Sequence, residues 1–303
     1  MKKLESLGLS VTTSVRDGAH AKSVDFGSEA IEIFSENEKL NTLDHVDDLA
    51  TFLKEGEGIY GVALESDHIA QDYKRLTESK VPLQKPRVAK DQNQDIPLWT
   101  GFTLPVSTTP LTHGWVVMNS PGVLNAQAKQ ILPLAHPNTC FGIEAIHLIS
   151  PDPQVVATQW GALVEKPVSG VQWNDIDVTS GKRIQIGDRF LDCLKETQGL
   201  LKISHGRRGP FMLTLKVVDL ELARGLAQKA GANPKPCTSR DGFYIDSSFT
   251  GGCALRFVRT FWKRYLPMVS SNYPLGRRVD KFRPLGGANT STLTDGFEDN
   301  WKY

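Results

Sequence analysis

The feature that most constrains this chain is that part of it occurs twice. The stretch from Lys22 to Glu32 aligns without gaps on the stretch from Lys182 to Asp192. In each copy apolar residues alternate (Val24 and Phe26; Ile184 and Ile186), a glycine marks a turn, and a second strand runs to an acid, Glu32 or Asp192. Period two is the spacing of a half-buried strand, so both stretches are predicted β-hairpins.

A second unit repeats alongside the first. Gly61 to Asp67 reads as a strand, Ser66 or Asp67 can cap the helix that follows, and Ile69, Tyr73 and Leu76 then share one helical face. Leu213 to Asp219 repeats the pattern, with Leu222 and Leu226 as the helix face and Gly231 at the C-terminal cap. Ile143 to Ile149 is a third such strand, followed by Asp152 as a cap and by a face of Val156, Trp160 and Leu163. These units predict an α+β protein of repeated βαβββ modules that begin before residue 1, near Gly58, near Ile143 and near Pro210, with mixed sheets and helices on one face. Residues 1–120 are expected to form one module pair, 121–142 a linker, 143–258 a second pair and 259–303 a partly flexible extension. A short amphipathic piece around Val46, Leu49, Phe52 and Leu53 joins the first two modules. Laid on the third module, the first lacks its N-terminal strand, about 15 to 20 residues having no counterpart. An unpaired strand edge is costly. One reading of the gap is a truncated sequence or a misplaced start codon; the other is a strand supplied by a second copy in a homodimer.

Composition narrows function by exclusion. A formal net charge of +1 over 303 residues gives no electrostatic footprint for nucleic acid or an anionic membrane surface. No apolar run approaches the roughly 20 residues of a membrane span. The lysines after Met1 are not followed by a hydrophobic stretch, so no secretory signal is read and a cytoplasmic location is expected. Cys140, Cys193, Cys237 and Cys253 lack both a C-x-x-C pair and zinc-site spacing, and read as reduced, mostly buried thiols. The sequence has no phosphate-binding loop, dinucleotide glycine fingerprint, H-E-x-x-H or G-x-S-x-G motif.

Three segments, in this order, carry a resemblance: Phe26-Gly27-Ser28-Glu29-Ala30-Ile31-Glu32-Ile33-Phe34, Gly56-Glu57-Gly58-Ile59-Tyr60-Gly61-Val62-Ala63-Leu64 and Leu134-Ala135-His136-Pro137-Asn138. With Cys253-Ala254-Leu255-Arg256-Phe257-Val258 as a final module strand, the chain resembles the glyoxalase-like branch of the vicinal oxygen chelate superfamily, which includes glyoxalases, bleomycin-resistance proteins and extradiol dioxygenases. The resemblance implies paired modules curled into cup-shaped mixed β-sheets whose concave faces hold a divalent metal ion or a small ligand. It places ligands on the first and last strands of each module, where period two makes inward residues converge. The implied chemistry is Lewis-acid polarisation of two adjacent oxygens by a lyase, isomerase or dioxygenase. The alternative is a non-catalytic protein that holds a small apolar or carboxylate-bearing molecule in a metal-free cup lined by Val62, Leu64, Val116 and Met118.

Carried onto this sequence, the resemblance implies Glu32, His147 and Asp192 as metal ligands and His20, His113 and Arg256 as substrate-binding residues. Each has a plainer reading: a solvated acid, a hydrogen-bonded core histidine, or a loop or strand-end position. Ala145 occupies the expected histidine position, and Arg256, which cannot ligate a metal, stands where a last strand would carry Glu. Asp192 and Arg256 are expected either to pair with each other across two strands or to clamp a carboxylate substrate. His136 reads as a linker turn, His205 to Gly209 as a solvated loop, and the basic and aromatic residues beyond Val258 as a surface tail or lid.

Overall fold

The computed structural model of the protein describes residues 2–16, 19–26, 29–33, 46–90, 97–104, 109–119 and 136–260. The expected linker up to residue 135 and the C-terminal extension from residue 261 lie outside the described residues. The elements in chain order are α1 (Lys2–Ser6), β1 (Thr12–Arg16), β2 (Ala19–Asp25), β3 (Ala30–Ile33), α2 (Val46–Lys54), β4 (Gly61–Glu65), α3 (Ile69–Glu78), β5 (Arg87–Lys90), β6 (Pro97–Leu104), β7 (His113–Asn119), β8 (Cys140–Ser150), α4 (Pro153–Val164), β9 (Val168–Trp173), β10 (Thr179–Ile186), β11 (Arg189–Lys195), α5 (Gln198–Ile203), β12 (Gly209–Val217), α6 (Leu220–Lys229), β13 (Lys235–Pro236), β14 (Gly242–Ile245), α7 (Ser247–Thr250) and β15 (Ala254–Arg259).

The second half is one eight-stranded sheet in the order β13-β14-β15-β12-β8-β11-β10-β9. It contains two βαβββ modules, β8-α4-β9-β10-β11 and β12-α6-β13-β14-β15. In each module the first strand lies parallel to the last, β8 to β11 and β12 to β15. The two first strands pair antiparallel at the centre of the sheet. The second module of the chain keeps this order, β4-β7-β6-β5, with β4 parallel to β7. The first module consists of α1 and the antiparallel sheet β1-β2-β3. By the pattern of the second half, one strand would run parallel to β3 and antiparallel to β4. Among the described residues none does, so the first half is divided into sheets of three and four strands. The protein is thus an α+β assembly of βαβββ modules in which the first, among the described residues, shows no counterpart of β8 or β12.

The gapless alignment of the two hairpins extends to their hydrogen-bond register. Lys22 pairs with Ile33 and Asp25 with Ala30, while Lys182 pairs with Cys193 and Gln185 with Phe190.

The helix starts follow from local hydrogen bonding. Asp152 and Asp219 accept from the backbone N–H groups of Val155 and Leu222 at 3.2 and 2.9 Å, satisfying donors that have no partner within the helix. The α3 start differs from both expected caps: the helix begins after His68, and Ser66 accepts from the His68 N–H while donating to Asp72. In α3, Ile69 and Leu76 are buried and Tyr73 packs edge-on against Phe102; in α4, Val156, Trp160 and Leu163 are buried. The face of α6 is turned from the expected one, with Leu220, Ala223 and Ala227 buried and Leu222 and Leu226 half-buried. Two alanines allow the helix to sit close to the sheet, a feature that a search for large apolar residues misses.

Two large cores join modules from different halves. Leu7, Leu9 and Val24 of the first module pack with Leu213, Leu215, Phe243 and Phe257 of the fourth. Val62, Ile69, Phe102 and Val116 of the second pack with Leu148, Trp160, Ile184 and Leu191 of the third. Val62, Leu64, Val116 and Met118, expected to line a cup, belong to this core; alternation along β4 and β7 turns them toward the helix side. Among the described residues no helix is long and apolar enough to cross a membrane.

Because Asp152 and Asp219 cap different modules, Asp152→Ala and Asp219→Ala should each lower unfolding stability by about 0.5–2 kcal/mol, and the double variant should lose the sum. Denaturant titration of the three variants measures this, with a marked departure from additivity as the contrary result.

Candidate functional site

The strand registers place four side chains at matching positions of the second-half modules. Ala63, His147 and Thr214 each stand five residues ahead of a helix N-cap, respectively His68, Asp152 and Asp219. Their partners across the first-to-last strand pairing are Trp115, Asp192 and Arg256. Glu32 aligns with Asp192, so it is the first module's equivalent. His147 is thus the β8 residue that pairs with Asp192, and Ala145 pairs with Phe190 two residues away.

His147, Asp192 and Thr214 form a continuous buried chain. All three residues have 0% exposure. His147 Nε2 lies 2.7 Å from the Thr214 hydroxyl, and His147 Nδ1 lies 3.2 Å from Asp192 Oδ2, in a contact poorly aligned for a hydrogen bond. Arg183, opposite Asp192 on β10, grips the same carboxylate with two hydrogen bonds of 2.6 and 2.7 Å. Bidentate pairing is among the strongest interactions available to a carboxylate. Burial pushes the Asp192 pKa up, but Arg183 and His147 outweigh it and hold it at about 2. Burial lowers the His147 pKa more than Asp192 raises it, and the charges of Arg256 and Arg183 push it down further. His147 is accordingly neutral at pH 7. In the tautomer that carries its proton on Nδ1, the nitrogen nearer Asp192, Nε2 accepts from the Thr214 hydroxyl.

Arg256 does not pair with Asp192, contrary to the expected cross-strand pair. Its guanidinium contacts Asp175 at 2.5 Å, donates to Ser239 at 2.7 Å and lies 4.7 Å from the centre of the Trp173 ring. Asp175 also accepts from the backbone N–H groups of Thr238 and Ser239. Burial acts upward on Asp175, and the Arg256 charge with these donors brings its pKa below the ordinary carboxylate value. Trp173 bridges the two systems, with its ring centre 4.6 Å from that of His147. The Arg256 Nε–H and the Trp173 Nε1–H are both buried without a partner. Buried donors in this condition mark a place for an acceptor.

The remaining expected site residues lie elsewhere. Glu32 is exposed on β3, on a different sheet from His147 and Asp192. His20 is a backbone partner of Val15 on β2, in the same separate sheet. His113 opens β7 and stacks on Tyr60 with ring centres 4.3 Å apart. Trp115, the second-module equivalent of Asp192, is covered by an apolar group from α2 and Tyr60 that includes Leu49 and Phe52. His136 is fully buried in a turn: Nδ1 accepts from the Ser10 N–H at 3.0 Å, and Nε2 lies 3.0 Å from the Asp25 carbonyl oxygen. Burial lowers its pKa against the upward pull of Asp25. Sequence reasoning missed Arg183, Trp173 and Asp175. The available signal was that a buried arginine demands an acid, and the acids at Asp175 and Asp177 stand near the end of β9.

A divalent cation does not fit this donor set. Both Asp192 oxygens are taken by Arg183, His147 Nε2 is engaged with the Thr214 hydroxyl, and Arg256, which cannot ligate a metal, stands at the other last-strand position. Among the described residues no three His, Cys, Asp or Glu side chains converge as a metal centre requires.

No family model matches the chain, and no curated protein matches it. Among solved structures, it is similar to a hypothetical protein from Staphylococcus aureus, with TM-score 0.56 and 12% identity over 83% of this chain and 91% of that one. It is also similar to a mutant of 4-hydroxymandelate synthase from Streptomyces coelicolor, with TM-score 0.53 and 11% identity over 86% of this chain and 88% of that one. At such identity these likenesses establish the fold.

Two expectations follow from the buried ionisable groups. His136 and His147 both have folded pKa values below the ordinary value of 6.5. Their neutral-state contribution is complete above about pH 6.5 and declines as pH falls below it, by at most about 1.4 kcal/mol per pH unit for each histidine. Asp192 contributes in full above its ordinary value of 3.8, and its share is lost between there and about 2. Denaturant midpoints measured from pH 8 to pH 4.5 should fall toward acid; a flat profile would contradict the assignment of neutral buried histidines. Asp192→Asn leaves Arg183 without its counter-charge and should cost about 3–5 kcal/mol in the same assay at pH 7.

Proposed function

On the vicinal oxygen chelate fold that this chain has, we propose that the site around Arg256 binds a small molecule bearing a carboxylate or carbonyl oxygen, without a metal ion and without catalysing a reaction. The observation that carries this reading is Arg256 itself. It occupies the last-strand position paired with Thr214, is only 5% exposed, and retains a buried N–H with no partner. An arginine has five N–H donors in a fixed fork, so Arg256 keeps donors for an oxygen ligand beyond those that Asp175 and Ser239 engage. Trp173 supplies a flat apolar wall and a second unpartnered donor. Asp175, Ser239 and the Trp173 ring hold the guanidinium in place, so little side-chain entropy is lost when a ligand arrives. His147, neutral and fixed between Asp192 and Thr214, forms the adjoining wall.

A metal-dependent lyase, isomerase or dioxygenase is the competing reading, and Glu32 is the observation in its favour. Glu32 is exposed, and its last-strand position is equivalent to that of Asp192. A site there would need a first-strand ligand from beyond the described residues.

Thermal melting of the whole protein separates the two readings. A panel of small carboxylates and oxo acids should contain compounds that raise the melting temperature, and Mn²⁺, Zn²⁺, Ni²⁺ and Fe²⁺ should leave it unchanged. Arg256→Met should abolish the response to aliphatic carboxylates and oxo acids, and Arg256→Lys should retain part of it. A metal-dependent rise, or an aliphatic carboxylate response that survives Arg256→Met, overturns the proposal.

A further inference from the structure

A cavity of about 150 Å³ lies apart from the Arg256 site, between the segment leading into β4 and the loop leading into β12. Its apolar wall is Phe52, Tyr60 and Phe211, with Phe52 edge-on to Tyr60 at 5.3 Å between ring centres. Arg207 and Arg208 supply the charge. Arg208 is paired with Glu196. Arg207 donates instead to the carbonyl oxygens of Phe52 and Glu57, and its guanidinium carbon lies 4.6 Å from the Phe52 ring centre. These partners are uncharged, and two of its five N–H donors serve the carbonyls.

The walls depend on close backbone approach. A Cβ on Gly252 would strike the Glu57 carbonyl oxygen, and one on Gly209 would strike that of Leu111. Leu111 itself has φ 70°, a left-handed conformation that a leucine adopts only at a cost. The loop His205 to Gly209, which reads from sequence as merely solvated, is therefore fastened to two other segments around a space.

We propose that this cavity binds a flat aromatic carboxylate of about the size of benzoate, with the ring against Tyr60, Phe52 and Phe211 and the carboxylate on Arg207. The size is appropriate, since about 150 Å³ is room enough for a benzene ring. The chemistry is appropriate as well: aromatic walls favour a flat ring, and a guanidinium without an acidic partner among the described residues favours a carboxylate at its edge.

Titration of the full chain with benzoate, benzyl alcohol, acetate and inorganic phosphate tests this, followed by calorimetry and by the ring NMR signals of Tyr60 and His113. Benzoate should bind saturably and shift both rings. Its affinity should fall at least about tenfold in Arg207→Met, the loss expected of a charge-assisted hydrogen bond, and less in Arg207→Lys. Benzyl alcohol binding should be nearly unaffected by either change. Arg256→Met should leave benzoate binding here intact, so failure of this proposal is distinguishable from failure of the Arg256 site. If a variant does not fold, the ring shifts of the unaltered protein decide. The proposal is overturned if benzoate does not saturate, if its binding follows Arg256 and not Arg207, or if acetate or phosphate binds as tightly.

Discussion

The second-half sheet is organised around the buried carboxylate of Asp192. Asp192 is held by two hydrogen bonds from Arg183 on one neighbouring strand and contacts His147 on the other. A charge taken out of water is tolerable only when its partners are in place, so this contact restricts how β10, β11 and β8 can be aligned. Slippage by one residue would turn Asp192 into the core occupied by Trp160 and Leu191, leaving Arg183 and His147 without their acid. The polar row extends further, through Thr214 to Arg256 and its cross-strand neighbour Tyr244. It crosses the centre of the sheet where the two modules meet.

The same row explains why the second-half site offers a metal ion no free set of ligands. Period two directs the paired first- and last-strand residues toward a common centre whatever their identities. Here the second half has His147, Asp192, Thr214 and Arg256 at those positions, and two modules of the first half have Ala63, Trp115 and Glu32. The architecture supplies convergence, and the residues decide whether a cation, an anion or an apolar plug occupies the centre. Here each guanidinium is matched by a buried carboxylate, Arg183 by Asp192 and Arg256 by Asp175, beside a neutral imidazole.

Much of the architecture was legible because it rests on short-range pattern. The gapless match of residues 22–32 to 182–192 carried both the hairpins and their register, since alternation and turn position are local properties. The faces of α3 and α4 and the Asp152 cap were readable for the same reason. The site was less legible because its partnerships are not local. Arg256 and Asp175 are far apart in sequence, and Trp173 joins them to His147 only once β9 and β15 have taken their places in one sheet. The face of α6 was misjudged because Ala223 and Ala227 bury little area but permit close approach. His136, an expected turn residue, also ties the Ser10 and Asp25 backbones together.

The crossing of the two cores between halves bears on the order in which the protein can be built. Leu7, Leu9 and Val24 are synthesised first, yet their apolar neighbours include Phe243 and Phe257, which leave the ribosome last among the described strands. The first module cannot bury its apolar face during translation and must wait through more than two hundred residues of synthesis. Pairings of such long sequence separation also require large loops to close before they are rewarded, which makes folding slow. The doubled sequence thus conceals a long-range dependence: similar units arise one after another, but their final packing is settled only when the last has been made.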